Sequence, residues 1–321
     1  MFFSTGVDGK RRKGLGFVPN VGKDDESKKP LLFVANHQLL GLDLGMIIAQ
    51  LIEERGINAR GLAHPIVFQS GDGFGGGFGP VPSDEDDDDS SNGKSRIEKR
   101  DRNGRITDPN VQPSGAFQNF GAVMVTPRNY YRLMESKQVG LLFPGGVREV
   151  FHGKDEAYEL FWPEKVDFVR VASRFNATIV PISAVGAADS ANILIDAPDM
   201  LNLPFGLGER AANNTKNVIS ARYDMSDSEE LFQPPFVVPK LLPSRHYFVF
   251  GKPFDTTAIS HTNKEECAQL YKDVKDELRR GLDDLLVART SDPFKDTVRR
   301  LAFERISGKQ APTFPIDQLN K

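Results

Sequence analysis

A histidine followed six positions later by an aspartate is the most suggestive chemical feature of the sequence. His37 and Asp43 lie at either end of the segment His37-Gln38-Leu39-Leu40-Gly41-Leu42-Asp43. A neutral imidazole can take the proton of an alcohol near neutral pH, and a carboxylate on its other nitrogen fixes the tautomer and stabilises the imidazolium. The pair therefore predicts a general base, His37, with Asp43 as the carboxylate that orients it.

The spacing of this pair constrains the backbone between the two residues. Six positions of a continuous α-helix turn through about 600°, so His37 and Asp43 cannot meet on one helix face. The residues between them must form a turn, and Gly41 permits unusual backbone angles there. A histidine and an aspartate in a loop are also common as a hydrogen-bonded polar residue and a helix cap, so a catalytic interpretation needs a second motif.

The second motif is a glycine pair followed by charged residues, Phe143-Pro144-Gly145-Gly146-Val147-Arg148-Glu149. Adjacent glycines let backbone N–H groups approach an anion, and an arginine can make a bidentate contact to phosphate. We therefore predict that the substrate-binding residues are Gly145, Gly146, Arg148 and Glu149. They would hold a phosphate-bearing substrate or, through Glu149, order the active site. Pro-Gly-Gly by itself is often only a turn.

Both motifs follow predicted strands. Apolar runs predict strands over 31–35, 60–63, 122–125, 139–143, 178–182 and 247–250, and helical periodicity predicts helices over 44–52, 128–136, 166–175 and 267–285. An irregular stretch rich in Pro and Asn precedes the last strand, and a capping box from Thr262 to Glu265 opens the last helix. Strands separated by such helices indicate an α/β fold, a single domain with a mixed, mostly parallel sheet flanked by helices.

The domain is expected to span residues 31–310, after a flexible N-terminal segment, 1–30, and before a C-terminal tail, 311–321. Residues 71–115 are predicted to be a disordered acidic insertion. This stretch is Gly-rich, then carries an unbroken acidic run from Asp84 to Asp89, and has too few apolar residues to compensate for the entropy of ordering.

Composition excludes several classes of function. The chain has 321 residues with 41 basic and 44 acidic side chains, a net charge of -3, so no global field attracts nucleic acid, which we do not expect as a partner. The one cysteine, Cys267, rules out an intrachain disulfide, and the histidines show no metal-ligand spacing with it. No apolar run approaches the roughly 18 residues that span a bilayer, so any membrane association is expected to be peripheral.

Five segments, taken in order, resemble one family. They read NHQLLGLDL, RGLAHP, FGAVMV, LLFPGGVREVFHGKDEAYELFWPEKVDFVRVASRFNATIVPISAVG and HYFVFGKPF. Together they resemble the acyltransferase half of the phytyl ester synthases. These are plastid esterase/lipase/thioesterase-like proteins related to diacylglycerol acyltransferases, within the glycerolipid acyltransferase superfamily.

The resemblance implies an O-acyltransferase with a glycerolipid acyltransferase-like fold. It would move a fatty acyl group from acyl-CoA, acyl-carrier protein or a glycerolipid to a lipid alcohol, phytol or diacylglycerol, with no cofactor beyond that co-substrate. The expected partners are the acyl donor, the lipid alcohol and a peripheral membrane or lipid-droplet surface. The expected location is the plastid, at plastoglobules or thylakoids, with the endoplasmic reticulum or a lipid-droplet surface as the alternative.

The resemblance also implies residue roles and leaves alternatives open. His37 matches the catalytic histidine, and Asp43 matches the acidic member with five intervening residues instead of the usual four. The glycine-pair motif matches the family's third block. Phytyl ester synthases usually carry an α/β-hydrolase half, yet this sequence has no Gly-x-Ser-x-Gly nucleophile elbow, so it is either free-standing or a fragment. A catalytically silent lipid-binding protein is one alternative, and a lysophospholipid acyltransferase, disfavoured by the register of Arg128, is another.

Overall fold

A central β-sheet organises the molecule. The computed structural model describes residues 1–20, 29–64, 120–165, 167–210 and 233–320. Within them, nine strands form the main sheet: β1 Phe2–Thr5, β2 Arg11–Lys13, β3 Leu31–Ala35, β4 Arg60–Ala63, β5 Val123–Met124, β6 Val139–Leu142, β7 Thr178–Val185, β10 Tyr247–Phe250 and β11 Phe254–Asp255. The two remaining strands of the described ranges, β8 Ala191–Ile195 and β9 Phe236–Pro239, pair with each other.

Helices connect and cover these strands. They are α1 Leu44–Arg55, α2 Pro127–Glu135, α3 Gly146–Val150, α4 Asp167–Arg174, α5 Ala197–Leu201, α6 Lys264–Ala288 and α7 Thr297–Ser307, with short 3-10 turns at Leu39–Gly41, Ala188–Ser190, Arg289–Ser291 and Ile316–Leu319. No helix in the described ranges is long and apolar enough to cross a membrane.

The strand order explains why β3 is apolar throughout. The main sheet runs β2-β1-β10-β7-β3-β6-β4-β5, with β11 beside β7, and β3 is parallel to both of its neighbours. All five residues of β3 are buried. Leu31, Phe33 and Ala35 pack with helix α1 on one face, and Leu32 and Val34 pack with α2, α4 and α6 on the other. A strand covered on both faces has no polar side, which confirms the predicted α/β fold with a mixed, mostly parallel sheet flanked by helices.

The predicted elements lie close to the observed ones, with differences at their ends. Strand β7 extends three residues beyond the predicted end, to Val185, and β5 is only two residues long. The predicted capping box at the start of α6 is wrong, because the N-cap is Asn263, whose side chain accepts hydrogen bonds from the amides of Glu265 and Glu266. Asparagine caps a helix as well as threonine does, so sequence spacing did not separate the two candidates.

The prediction of a flexible N-terminal segment is wrong for residues 1–20. Strand β1 pairs in parallel with β10 and antiparallel with β2. Phe3 is buried and stacks on Phe314 with ring centroids 5.3 Å apart, and Leu15 is fully buried. The glycines and four basic residues of this segment conceal a short apolar strand, whose partner β10 is more than 240 positions away.

The predicted C-terminal tail also packs on the body of the domain. Ala311, Phe314 and Leu319 are all buried, so the core continues past residue 310. The predicted insertion, 71–115, lies outside the described residues, and the remaining domain limits stay predictions.

A close contact between α6 and β7 gives a test of this packing. A Cβ atom at Gly281 would lie 2.2 Å from the Oγ of Ser183, which donates a hydrogen bond to the carbonyl of Leu278. We expect Gly281→Ala to displace that hydroxyl and lower the free energy of unfolding by about 1–3 kcal/mol. Urea denaturation of the purified protein measures this difference.

Gly45 in α1 supplies the matched control. A Cβ atom there would meet nothing within 4 Å, so Gly45→Ala should leave stability unchanged or raise it by less than about 1 kcal/mol through helix propensity. Equal effects of the two substitutions would contradict the close approach of α6 to β7.

Candidate active site

Three parallel strands bring the predicted site residues to one edge of the sheet. Strands β6, β3 and β7 are neighbours and run in the same direction, so their carboxyl ends share that edge. His37 follows β3, the glycine-pair motif follows β6, and Gly186 and Ala187 follow β7. Ligand and catalytic sites of α/β sheets form at this edge, because the loops after neighbouring strands converge there.

The turn required by the spacing of His37 and Asp43 is present. A 3-10 turn spans Leu39–Gly41, with Leu40 at φ 55° and Gly41 at φ 68°, both left-handed. It returns the chain so that Nδ1 of His37 lies 3.3 Å from Oδ1 of Asp43. Asp43 is fully buried at the N-terminus of α1, where the helix dipole favours a negative charge.

This geometry selects one tautomer of His37. An ionised Asp43 can only accept, so Nδ1 carries the proton and Nε2 keeps the lone pair that a general base needs. The other oxygen, Oδ2 of Asp43, accepts a hydrogen bond from the amide of Gln38 at 3.2 Å. The imidazole also stacks on Phe143, with ring centroids 3.9 Å apart and planes 19° from parallel. The imidazole of His37 is therefore held at its ring edge by Asp43 and at its ring face by Phe143.

The residues on either side of His37 are anchored to the end of β7. The side chain of Asn36 donates to the carbonyl of Ala184 at 3.0 Å and accepts from the amide of the same residue at 2.8 Å. Oε1 of Gln38 accepts from the amide of Ala187 at 2.8 Å. The sequence alone does not predict these roles of Asn36 and Gln38. The only local signal was two amide side chains directly after a fully apolar strand.

Glu149 holds the same backbone from the side of β6. One carboxylate oxygen accepts from the amide of His37 at 2.7 Å and the other from the amide of Phe161 at 3.0 Å. Burial raises the pKa of Glu149 to about 8. A Cβ atom at position 145 would lie 2.0 Å from the carboxyl carbon of Glu149, so Gly145 leaves the space that this side chain fills. Of the two roles predicted for Glu149, its placement matches the one that orders the site.

Arg148 and Gly146 have partners within their own loop. The guanidinium of Arg148 pairs with both carboxylate oxygens of Glu156, one of them at 2.7 Å, and lies 3.8 Å from the centroid of the Phe161 ring. Arg148 lowers the pKa of Glu156. The amide of Gly146 donates to the carbonyl of Phe143 at 3.0 Å. A phosphate bound by Arg148 would therefore replace Glu156.

The fold and these contacts define a class of protein. It is an α/β protein with a buried carboxylate oriented on a histidine at the carboxyl edge of a parallel sheet. In the described part of the chain, no three His, Cys, Asp or Glu side chains are grouped as metal ligands.

Comparison with known proteins identifies relatives that align with nearly the whole length of this chain. Over 314 residues, 94% of this chain, it is 34% identical to phytyl ester synthase 1, chloroplastic, of Arabidopsis thaliana, of which it covers 38%. It is also 34% identical over 324 residues to phytyl ester synthase 2, chloroplastic, of the same plant, of which it covers 40%. The resemblance predicted from the sequence is confirmed, and the chain spans about two fifths of the length of these relatives. No family model matches the chain.

A solved structure gives a weaker likeness. The 1-acyl-sn-glycerophosphate (LPA) acyltransferase PlsC from Thermotoga maritima aligns with 89% of this chain and 72% of its own, at a TM-score of 0.39 and 15% identity. The family resemblance therefore rests on the two phytyl ester synthases.

The raised pKa of Glu149 predicts a pH dependence of stability. Between pH 4.5 and about 8 the unfolded chain releases the Glu149 proton while the folded protein keeps it. The contribution of Glu149 to the free energy of unfolding is complete below pH 4.5. It is lost as the pH rises, by at most about 1.4 kcal/mol per pH unit. We expect the stability of the wild type relative to Glu149→Gln to fall between pH 5 and 8 in urea denaturation.

The exposed Glu159 provides a control for this measurement. Glu159→Gln should show no such pH-dependent difference from the wild type. A wild-type advantage over Glu149→Gln that is constant across this pH range would mean that Glu149 is ionised in the folded protein.

Proposed function

We propose that this chain is an O-acyltransferase domain that transfers a fatty acyl group to a lipid alcohol. The observation that carries the proposal is the contact between His37 and the buried Asp43, at 3.3 Å, at the carboxyl edge of the sheet. Catalysis of alcohol acylation needs a base that can take the hydroxyl proton, and an imidazole oriented by a carboxylate supplies it.

In the proposed reaction the alcohol oxygen attacks the carbonyl carbon of the acyl donor. Its proton passes to Nε2 of His37, and Asp43 stabilises the imidazolium that results. Collapse of the tetrahedral intermediate breaks the bond from the carbonyl carbon to the leaving sulfur or oxygen, which takes the proton back from Nε2. Asn36, Gln38 and Glu149 contribute by fixing the backbone that carries the imidazole, so they are positioning residues.

The acceptor and the location are proposed from the relatives. Both are named as chloroplastic phytyl ester synthases, which supports phytol as the alcohol and the plastid as the compartment. Diacylglycerol as the acceptor, the choice among acyl-CoA, acyl-carrier protein and glycerolipid donors, and attachment to a membrane or lipid-droplet surface belong to the same proposal.

The contact geometry favours an enzyme over a catalytically silent lipid-binding protein. A binding protein has no need of a buried carboxylate on a histidine. Holding Asp43 fully buried requires two hydrogen bonds and a left-handed turn. This arrangement costs stability, and a protein that only binds lipid would gain nothing from it. The five-residue spacing does not prevent the contact, because the turn absorbs the extra residue.

The test is ester formation by the purified protein. Labelled acyl-CoA, or acyl-carrier protein as an alternative donor, is offered with phytol, diacylglycerol or lysophosphatidate. We expect His37→Ala to lower the rate by about 10²- to 10⁴-fold, and Asp43→Asn to lower it by at least about 10-fold, because the amide cannot stabilise the imidazolium. His261→Ala, a histidine in the loop before α6, is the matched control and should keep wild-type activity.

Equal traces of ester from the wild type and His37→Ala, with every donor, would overturn the enzyme proposal. If lipid remained bound in that case, the binding-protein alternative would take its place. Ester formed only with lysophosphatidate would identify a lysophospholipid acyltransferase.

The predicted role of Arg148 has a test of its own. If its guanidinium exchanges Glu156 for a phosphate of the donor, Arg148→Gln should raise KM for acyl-CoA by about 10-fold while leaving KM for acyl-pantetheine, which lacks the nucleotide phosphates, nearly unchanged. Steady-state kinetics with the two donors measure this. Equal increases for both donors would show that Arg148 acts only through its loop.

A further inference from the structure

Exposed apolar side chains are concentrated in one part of the surface. Half of the large hydrophobic side chains that are exposed in the described residues lie between positions 194 and 242. This stretch contains the end of β8, the strand β9 that pairs with it, and the short helix α5, which has no buried residue. Single exposed apolar residues are ordinary, whereas a contiguous group marks an interaction surface.

Phe205 is the most unusual member of this group. Its side chain is 96% exposed, and its backbone is left-handed at φ 60°. A hydrogen bond from the amide of Leu207 to the carbonyl of Pro204, 3.3 Å long, closes the turn that carries it. A non-glycine residue in this conformation is strained, and an exposed phenyl ring adds no packing within the protein. An intermolecular contact at the tip of the turn would account for both costs.

The β8–β9 ribbon extends this surface. Ile193 pairs with Val237 on the inner face, and Asn192 pairs with Val238 on the outer face. Leu194 and Phe236 are 51% and 56% exposed. The outer face of the ribbon is therefore mostly apolar, unlike the solvated face of an ordinary two-stranded ribbon.

Helix α7 lies near the end of the ribbon at which β8 begins and β9 ends. Leu241, which follows β9, is 99% exposed, and the next segment is fixed to α7 by a hydrogen bond from Oγ1 of Thr297 to the carbonyl of Pro243, 2.7 Å long. Only Thr297 is buried in α7, whereas Val298 and Leu301 are exposed. Two of the three arginines of the helix, Arg299 and Arg305, are also exposed, and cationic side chains among exposed apolar ones suit an anionic lipid surface.

The ribbon leaves the body of the domain at the edge that carries the candidate active site. Ala187, which binds Gln38, is two residues before Asp189, and Asp189 is held by Tyr158 at 2.5 Å and by Arg289. Strand β8 begins two residues further on, at Ala191. A molecule seated on the ribbon would therefore lie beside the loop that positions His37.

We infer that residues 194–207, 236–242 and 298–306, here called the ribbon surface, dock on an anionic lipid bilayer. Phe205 and Leu241 would insert among the lipids, and the exposed Arg299 and Arg305 of α7 would face the headgroups. This inference rests on the proposed function, because an acceptor such as phytol dissolves in lipid and must reach His37 from it.

Flotation with vesicles tests the inference without using the reaction. The full chain is mixed with vesicles of phosphatidylcholine alone or with phosphatidylglycerol, and with triolein emulsion. The doubly substituted Phe205→Ser, Leu241→Ser variant should bind the anionic vesicles at least about tenfold more weakly than the wild type, because two fully exposed apolar anchors are lost. Val7→Ser, an exposed apolar residue in the β1–β2 turn, is the control and should float like the wild type.

Several results would overturn the inference. These are a wild type that does not float, equal flotation of the double variant, flotation only with triolein, or a wild-type dimer that the double substitution makes monomeric. A thermal denaturation midpoint of the double variant equal to that of the wild type serves as the control for its folding. His37→Ala must float like the wild type. Flotation of a wild type that forms no ester would refute the proposed function alone. Ester formation, together with flotation that the double substitution does not change, would refute the ribbon surface alone.

Discussion

The backbone around His37 is held by three buried side chains, and the rest of the site depends on them. Asn36 and Gln38 attach it to β7, and Glu149 attaches it to the loop after β6. Each such bond adds only about 1 kcal/mol net, but an unmade one would leave a buried polar group at a cost of about 1–3 kcal/mol. Strands β6 and β7 must therefore both be in register for His37 to be placed. The left-handed turn that returns Asp43 is sustained by this framework.

Because these contacts join loops that are far apart in sequence, the site cannot form before the sheet does. Leu32 and Val34 on one face of β3, and Leu31 and Phe33 on the other, tie that strand to helices on both sides. Burial of both faces leaves no freedom to slip the register of β3, since a shift of one residue would exchange the two apolar clusters. The apolar core thus determines the position of a polar site that lies just beyond the ends of its strands.

Local patterns were enough to predict the elements that carry the dyad, and to predict that a turn must separate His37 from Asp43. They were not enough where the partner is distant. Strand β1 pairs with β10, and Asn36 with Ala184, across long distances in the sequence. Local periodicity of apolar residues cannot predict such pairs. The β8–β9 ribbon was missed because its strands are short and mostly exposed, so they lack the apolar runs that predicted the others. Arg148 was expected to face a substrate, whereas Glu156, eight positions later, was available to pair with it.

Three features that cost stability lie in residues 36–43 and 145–149. Leu40 has a left-handed backbone, Glu149 is a carboxylic acid buried in the core, and Nε2 of Gln38 has no hydrogen-bond partner among the described residues. Selection for stability alone would remove such features, because each has an ordinary substitute: a glycine, an apolar residue or a shorter polar side chain. All three belong to the loops that hold His37, where a site maintained for chemistry would keep them. Phe205 lies outside these two loops, and its strain and exposure occur together, so they call for a separate cause.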